Sequence, residues 1–189
     1  MERKANPLHP EQELFFIYLE LNVPLTIVMT ATLHEYEMPV LPLWKGREHN
    51  ELFFCLPSYW DYENPTNENA GWIFDWLFRL QNFALERHTW FGPGHTIAAG
   101  NPPQPVSPLV KMDHFFFLEP MFTKEALQPV ELGDMTVYLL AVMPMFEEEL
   151  DYKTVKGTEK TLKKMVSRKI DERLDDYRQS FMASRMKFW

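Results

Sequence analysis

Cysteine is almost missing from this chain: Cys55 is the single one in 189 residues. One thiol cannot close an internal disulfide, so an oxidising compartment is not called for. Between Phe54 and Leu56 it reads as a small buried hydrophobe rather than a nucleophile. Long apolar runs are also missing. No window holds the 18 or more uninterrupted apolar residues that mark a membrane-spanning helix. Met1 to Pro10 carries Arg3 and Lys4 but no apolar stretch before Leu14, so it does not read as a signal peptide. The cytoplasm is the expected location. Glycine-rich phosphate loops are absent, as is the GxSxG elbow of serine hydrolases. Gly92-Pro93-Gly94 is a turn, because its proline lacks an N–H that a phosphate cradle would use. The histidines are His9, His34, His49, His88, His95 and His114. No two lie three to five apart, so no helical zinc pair exists. No metal and no cofactor are expected.

What is present is aromatic and acidic. Aromatic residues make up 15% of the chain, so the core should be built largely on Phe and Trp. The formal net charge is −8, and it is unevenly spread. Residues 1–150 hold 8 Lys and Arg against 21 Asp and Glu, a net of −13. Residues 151–189 hold 11 against 6, a net of +5. An acidic body repels nucleic acid and anionic lipid and attracts basic proteins. The expected partner is therefore another protein, basic in character, with no nucleic acid and no membrane.

The pattern predicts an α+β fold: a central mixed or antiparallel sheet flanked by helices, with a C-terminal amphipathic helix. Residues 1–12 read as a flexible polar lead, 13–157 as the domain and 158–189 as a helical extension. Residues 13–21 and 25–30 are β-rich runs separated by Pro24, which suggests an antiparallel pair. Residues 34–49 read as loop, 51–56 as a third strand and 61–70 as an exposed turn. Trp72 to Glu86 is the clearest helix, with Ile73, Trp76, Leu77, Leu80, Phe83 and Ala84 along one face. Shorter strands follow at 95–99 and 112–118. The nearly all-apolar run 135–143 is expected at the centre of the sheet. From Met145 onward the pattern turns helical, with Glu147, Glu148 and Glu149 in the first turn. A second, long helix is expected from Thr158, with Leu162, Val166, Ile170, Leu174, Tyr177 and Phe181 as its stripe. Residues 158–182 could then serve self-association.

Candidate functional residues are few. The aromatics Tyr59, Trp60, Tyr62, Trp90 and Phe91 form either a partner-binding patch or part of the core. His95 follows them on a turn. Glu147, Glu148 and Glu149 could contact a partner, although acidic residues also favour the positive end of a helix dipole. An enzymatic alternative would use His34, His95, Asp113 and His114. Asp113 and His114 are adjacent in a predicted strand, which should point them to opposite faces.

Several segments, in order, resemble the suppressor-of-fused domain family. They are Ile27 to Thr32, Asn50 to Pro57 with Trp60, Trp72 to Leu77, Phe91 to Ile97, and Val137 to Pro144 running into Glu147 to Leu150. The resemblance spans about residues 13–166. It departs at Thr32, where the family often has glycine. It implies a central sheet flanked by helices and no catalytic residues. Eukaryotic relatives hold a transcription-factor peptide between this domain and a second one, and 189 residues have room for the first. Bacterial relatives resemble immunity proteins that neutralise secreted toxins, often nucleases, and an acidic body suits that role.

The helical stripe generates a stability prediction. Trp72, Trp76 and Leu80 should be core residues, and Trp76→Ala should cost about 3–5 kcal/mol in denaturant melts. A loss under about 1 kcal/mol would mean that this face looks at solvent.

Overall fold

The most apolar strand of the sequence lies where it must be covered on both sides. The computed structural model describes residues 1–63 and 70–183. Its strands are β1 (Glu2–Ala5), β2 (Glu13–Glu20), β3 (Pro24–Thr30), β4 (His49–Pro57), β5 (Thr96–Ala98), β6 (His114–Leu118), β7 (Val130–Leu132) and β8 (Met135–Met145). They form one mixed sheet in the order β1-β2-β3-β4-β8-β6-β5, with β7 also on β8. Neighbours are antiparallel except β4 and β8, which run parallel from His49↔Val137 to Phe53↔Ala141. The expected antiparallel pairing of the second and third strands is present, as is the central place of β8.

Strand alternation sorts the apolar residues into two layers. Leu52, Phe54 and Leu56 of β4, Leu140 and Val142 of β8, and Phe115 and Phe117 of β6 face one core. Phe53 and Cys55, Ala141 and Met143, and Phe116 and Leu118 face the other. The first core is closed by α1 (Trp72–Arg87), which contributes Ile73, Phe74, Leu77 and Leu80. Full burial of such side chains stabilises by roughly 1.5–3 kcal/mol each. Trp76 is half-buried at the edge of this layer. It packs edge-on against Phe115 at 4.8 Å, and its indole N–H donates to the Val106 carbonyl at 2.8 Å. Helix α1 ends at His88, whose φ of 46° is left-handed. The following Thr89 N–H reaches back to the Ala84 carbonyl at 3.1 Å.

The second core is closed by α2 (Glu147–Lys156), α3 (Thr158–Ser167) and the chain beyond them. Here the expectation of one long helix fails. The described chain from Arg168 to Ala183 is not helical. Lys169 adopts φ 59°, which turns the chain out of α3. The following residues form a strap across the sheet. The Leu174 N–H donates to the Cys55 carbonyl at 2.7 Å, and Leu174 and Phe181 are buried at 4% and 1% exposure. The spacing of four that suggests a helical stripe arises because the strap dips into the sheet at intervals. The two stripe members that a long helix would also have buried, Val166 and Tyr177, are 60% and 83% exposed.

Two buried carboxylates fasten the strap. Glu172, 2% exposed, accepts from the backbone N–H groups of Met121, Phe122 and Thr123 at 2.8–3.0 Å and from the Thr123 hydroxyl at 2.8 Å. Glu149, fully buried in the first turn of α2, holds the Arg178 guanidinium through a two-pronged contact at 2.6 and 2.7 Å. It also accepts the Phe181 N–H at 2.8 Å, and Arg178 donates to the Pro144 carbonyl at 2.8 Å.

The lead differs from expectation as well. Residues 2–5 pair with β2 as an edge strand. All four are exposed, so no hydrophobic alternation announces them. Their charges, including an Arg3–Glu13 ion pair, blunt the free edge. Asn6 and Gln12, both buried, tie the next residues down, and Asn6 donates to the Phe74 carbonyl at 2.9 Å. Thr32 has φ −138°, an ordinary value for any residue, so no glycine is required there. Of the expected turn at 61–70, residues 64–69 lie outside the described residues.

Arg178→Met should cost about 3–5 kcal/mol in urea unfolding, because it leaves Glu149 buried without its counter-charge. A cost under about 1 kcal/mol would show that the strap does not depend on this pair.

Candidate functional site

The left-handed end of α1 turns the chain into residues 89–95, which return to the sheet at β5. Two glycines allow this path. A Cβ on Gly92 would lie 2.5 Å from the Trp90 ring. Gly94 has φ +90°, and a Cβ there would meet the Thr158 side chain at 3.1 Å. The Gly94 N–H donates to the Phe117 carbonyl at 2.8 Å and the Phe117 N–H to the His95 carbonyl at 3.0 Å, so the turn continues the β5–β6 ladder.

The result is a hollow of about 460 Å³ whose lining includes Phe83, Trp90, Phe91, His95, Phe117 and Lys153. Phe91 stacks on Phe117 at 4.5 Å, and His95 meets Trp90 edge-on at 4.2 Å. Burial holds the His95 imidazole below its ordinary pKa. A hydrogen bond with the Trp90 backbone opposes this, and the nearby Lys153 charge adds to it. Burial also lowers the Lys153 ammonium from its ordinary value, and its Nζ lies 5.5 Å from the Phe116 ring centre. No carboxylate is among the lining residues. The hollow thus offers aromatic walls with an imidazole and an amine. It suits an apolar side chain with a neighbouring hydrogen-bond acceptor.

The expected partner-binding residues are not gathered in one place. Trp90, Phe91 and His95 share the hollow. Tyr59 is exposed on a separate cleft of about 350 Å³ beside the strap. Burial, then Asp176 and Asp175, push its hydroxyl up to about 12. Tyr62 is half-buried against Phe16, ring centres 6.0 Å apart. Trp60 and Phe91 are not surface aromatics: they are 6% and 3% exposed and belong to the α1-side core. Glu147 and Glu148 are exposed, whereas Glu149 is withdrawn into its contact with Arg178. Phe83 and Lys153 complete the hollow without having been singled out. Phe83 sits in the α1 stripe and reads as core. A lone lysine carries no signal until α2 is packed beside β6.

Of the residues of the enzymatic alternative, only the adjacent Asp113 and His114 contact one another. His34 contacts Glu51 through Nδ1 at 2.5 Å. The His114 Nδ1 contacts Asp113 at 2.8 Å, contrary to their expected opposite orientation. The reason is that β6 begins at His114, so Asp113 lies outside the regular alternation. His95 belongs to the hollow. Cys55 is 1% exposed, and burial raises its thiol far above the ordinary range. Among the described residues, no three His, Cys, Asp or Glu side chains are grouped as metal ligands.

The sequence model of one family, Suppressor of fused protein (SUFU), matches residues 13–179. The match reaches into the strap, beyond the segment that carries the resemblance in sequence. A crystal structure of a SUFU homologue from Neisseria gonorrhoeae superposes with a TM-score of 0.58 at 16% identity, over 93% of this chain and 81% of that one. Drosophila Suppressor of Fused superposes with a TM-score of 0.62 at 14% identity, over 89% of this chain and 42% of that one. This chain therefore spans less than half of the Drosophila protein. A chain from a Sufu–Fu complex gives 0.63 at 12% identity, over 89% and 77%. These likenesses show the fold. No curated protein matches the sequence.

The His34–Glu51 contact predicts a pH dependence of stability. Glu51 is 3% exposed and also accepts the His34 N–H at 3.1 Å. The hydrogen bond to this carboxylate raises the His34 pKa. The stabilisation is complete below the unfolded histidine value of about 6.5 and is lost as pH rises through the higher folded value. Stability should fall with rising pH above about 6.5 in the wild type, and His34→Gln should flatten that slope in urea melts. An unchanged slope would remove His34 as its source.

Proposed function

Because the chain belongs to the suppressor of fused family, we propose that it is a non-enzymatic domain that holds another protein. The observation that carries this reading is the hollow at the β5 end of the sheet. It combines Trp90, Phe83 and Phe117 with His95 and Lys153, and lacks a paired nucleophile and base. Such walls fit a partner's apolar side chain, and the two nitrogens fit the acceptors beside it. The solved Sufu–Fu complex shows a relative in company with a partner. His34 contacts Glu51, His114 contacts Asp113 and His95 lines the hollow, so among the described residues the four form no single network. That gives the hydrolytic or metal-dependent alternative no support.

The partner in this reading is basic. The support is the net −13 of residues 1–150, which steers a basic protein toward the domain. Neutralising a secreted basic toxin, such as a nuclease, is the finer form of the same reading. Self-association through residues 158–182 has less to work with. Leu162, Met165, Ile170 and Phe181 already cover the chain's own sheet, and Val166 and Tyr177 remain outside. Among the described residues no helix is long and apolar enough to cross a membrane.

Affinity capture from native lysate with the wild type and Trp90→Ala tests the reading. A basic protein should be retained by the wild type and bound about tenfold or more weakly by the variant, at a temperature where both chains remain folded. The association rate should fall steeply as salt is raised. Equal binding by both chains would remove the hollow from the reading. A rate indifferent to salt would remove the charge. A captured basic enzyme that stops working when the domain is added would establish neutralisation.

A further inference from the structure

Of the described residues that line the hollow at the β5 end of the sheet, Lys153 alone carries a charge at neutral pH, because His95 is held below its ordinary value. A lysine stem ordinarily carries its ammonium out into water. Lys153 is half-buried instead, with Nζ 5.5 Å from the Phe116 ring centre. Burial lowers its pKa, and no neighbouring carboxylate opposes the fall. Glu149, one turn earlier on α2, is taken by Arg178. Among the described residues no other carboxylate pairs with the Lys153 amine. A partly desolvated cation without a counter-charge is unfavourable, and an arriving anion relieves it.

The aromatic wall continues beyond the hollow. Trp90 meets Trp44 with ring centres 5.9 Å apart. Trp44 closes a short helical turn, Pro42–Trp44, on which Leu43 is 90% exposed, and Leu41 just before it is 58% exposed. One exposed leucine is ordinary. Two of them beside a tryptophan that leans on the wall of the hollow make an apolar strip leading away from it. Arg47 lies over the Trp44 ring at 5.5 Å but is already paired with Glu119. The amine of Lys153 is thus the group on this face that still wants an anion. The hydroxyls of Thr89 and Thr96 add further donors to the lining.

We propose that the hollow receives an aspartate or glutamate side chain of a protein partner on the Lys153 amine, with the partner's adjacent apolar residue between Trp90, Phe83 and Phe117 and its chain running on along Trp44 and Leu43. This rests on the reading of the hollow as a partner site and names the chemistry that the site selects. An ammonium is a compact charge with three rotatable donors, so it can meet a carboxylate from several directions. An internal acidic residue fits better than a chain end, because the apolar strip carries the partner onward past Trp90. The partner is still basic as a whole. The net −13 of residues 1–150 repels its carboxylates, and the hollow, with none in its lining, is where one is received.

The test uses the full chain, isotopically labelled, and an acetylated, amidated hexapeptide with phenylalanine, glutamate and leucine at its centre. The same peptide with glutamine for glutamate keeps the shape and removes the charge. A third, with glutamine and a free C-terminal carboxylate after a last phenylalanine, represents a chain end. All are read at a temperature where every variant remains folded. Saturable shifts should appear at the Trp90 indole and the Lys153 side chain. The glutamine peptide should bind the wild type about tenfold or more weakly than the glutamate peptide. Lys153→Met should bind both at the weaker level, and Lys153→Arg should restore the difference. Equal binding of the two peptides by the wild type would overturn the proposal. If Trp90→Ala then weakened both, the hollow would remain a partner site without a preference for acid. A difference that persists in Lys153→Met would place the carboxylate elsewhere and overturn it too. Tighter binding of the free-acid peptide than of the glutamate peptide would make the hollow a chain-end site, against the proposal. No saturable shift with any peptide would also overturn it, while the capture experiment with Trp90→Ala decides the partner-binding reading separately.

Discussion

The parallel pairing of β4 with β8 is the constraint on which the rest of the molecule depends. Both strands are buried on both faces, so each face needs its own cover. Helix α1 supplies one cover from the segment that follows β4. The other cannot come from the same place. It is assembled from α2, α3 and the strap, all of which follow β8 in sequence. Residues 158–183 therefore share with α2 the covering of one face of the sheet's centre. The family match to residue 179 agrees with this placement.

A strap without regular secondary structure is fixed by few contacts, and these use charge. Glu172 is held by three backbone N–H groups and a hydroxyl, and Glu149 by a guanidinium and two backbone N–H groups. A buried carboxylate is tolerable only when its oxygens are filled in this way. Both therefore act as locks, which fit when the strap sits in one position and are costly in any other.

The sheet was largely legible in the sequence because its signals are local. Alternation, proline stops and apolar runs mark β2, β3, β4 and β8, and the three-and-four spacing of Ile73, Leu77, Leu80 and Ala84 marks α1. The strap was not legible. Its residues are buried by distant partners, and a spacing of four looks the same whether a helix or a dipping strand produces it. The edge strand at 2–5 was hidden for the opposite reason, since nothing in it is buried. In the hollow, Trp90, Phe91 and His95 were visible as unusual residues next to a glycine-rich turn. Lys153 was not, because its place depends on how α2 crosses β6. Trp60 shows the limit of judging exposure from a loop position: a tryptophan after a strand end folds back onto Trp72, ring centres 5.9 Å apart.

Net charge and local charge act at different ranges here, and they have opposite signs in the hollow. The surplus of carboxylates over residues 1–150 is felt over roughly a Debye length, about 8–10 Å at ordinary ionic strength. It governs how fast a basic protein arrives. Inside the hollow the nearest charge is the Lys153 ammonium, with no carboxylate in the lining. It governs what is accepted on arrival, and it disfavours a lysine or arginine at that point. A basic partner drawn in by the body must then present an apolar residue to the hollow and keep its cations for the carboxylates elsewhere. That division separates association rate from specificity, with salt acting on the first far more than on the second.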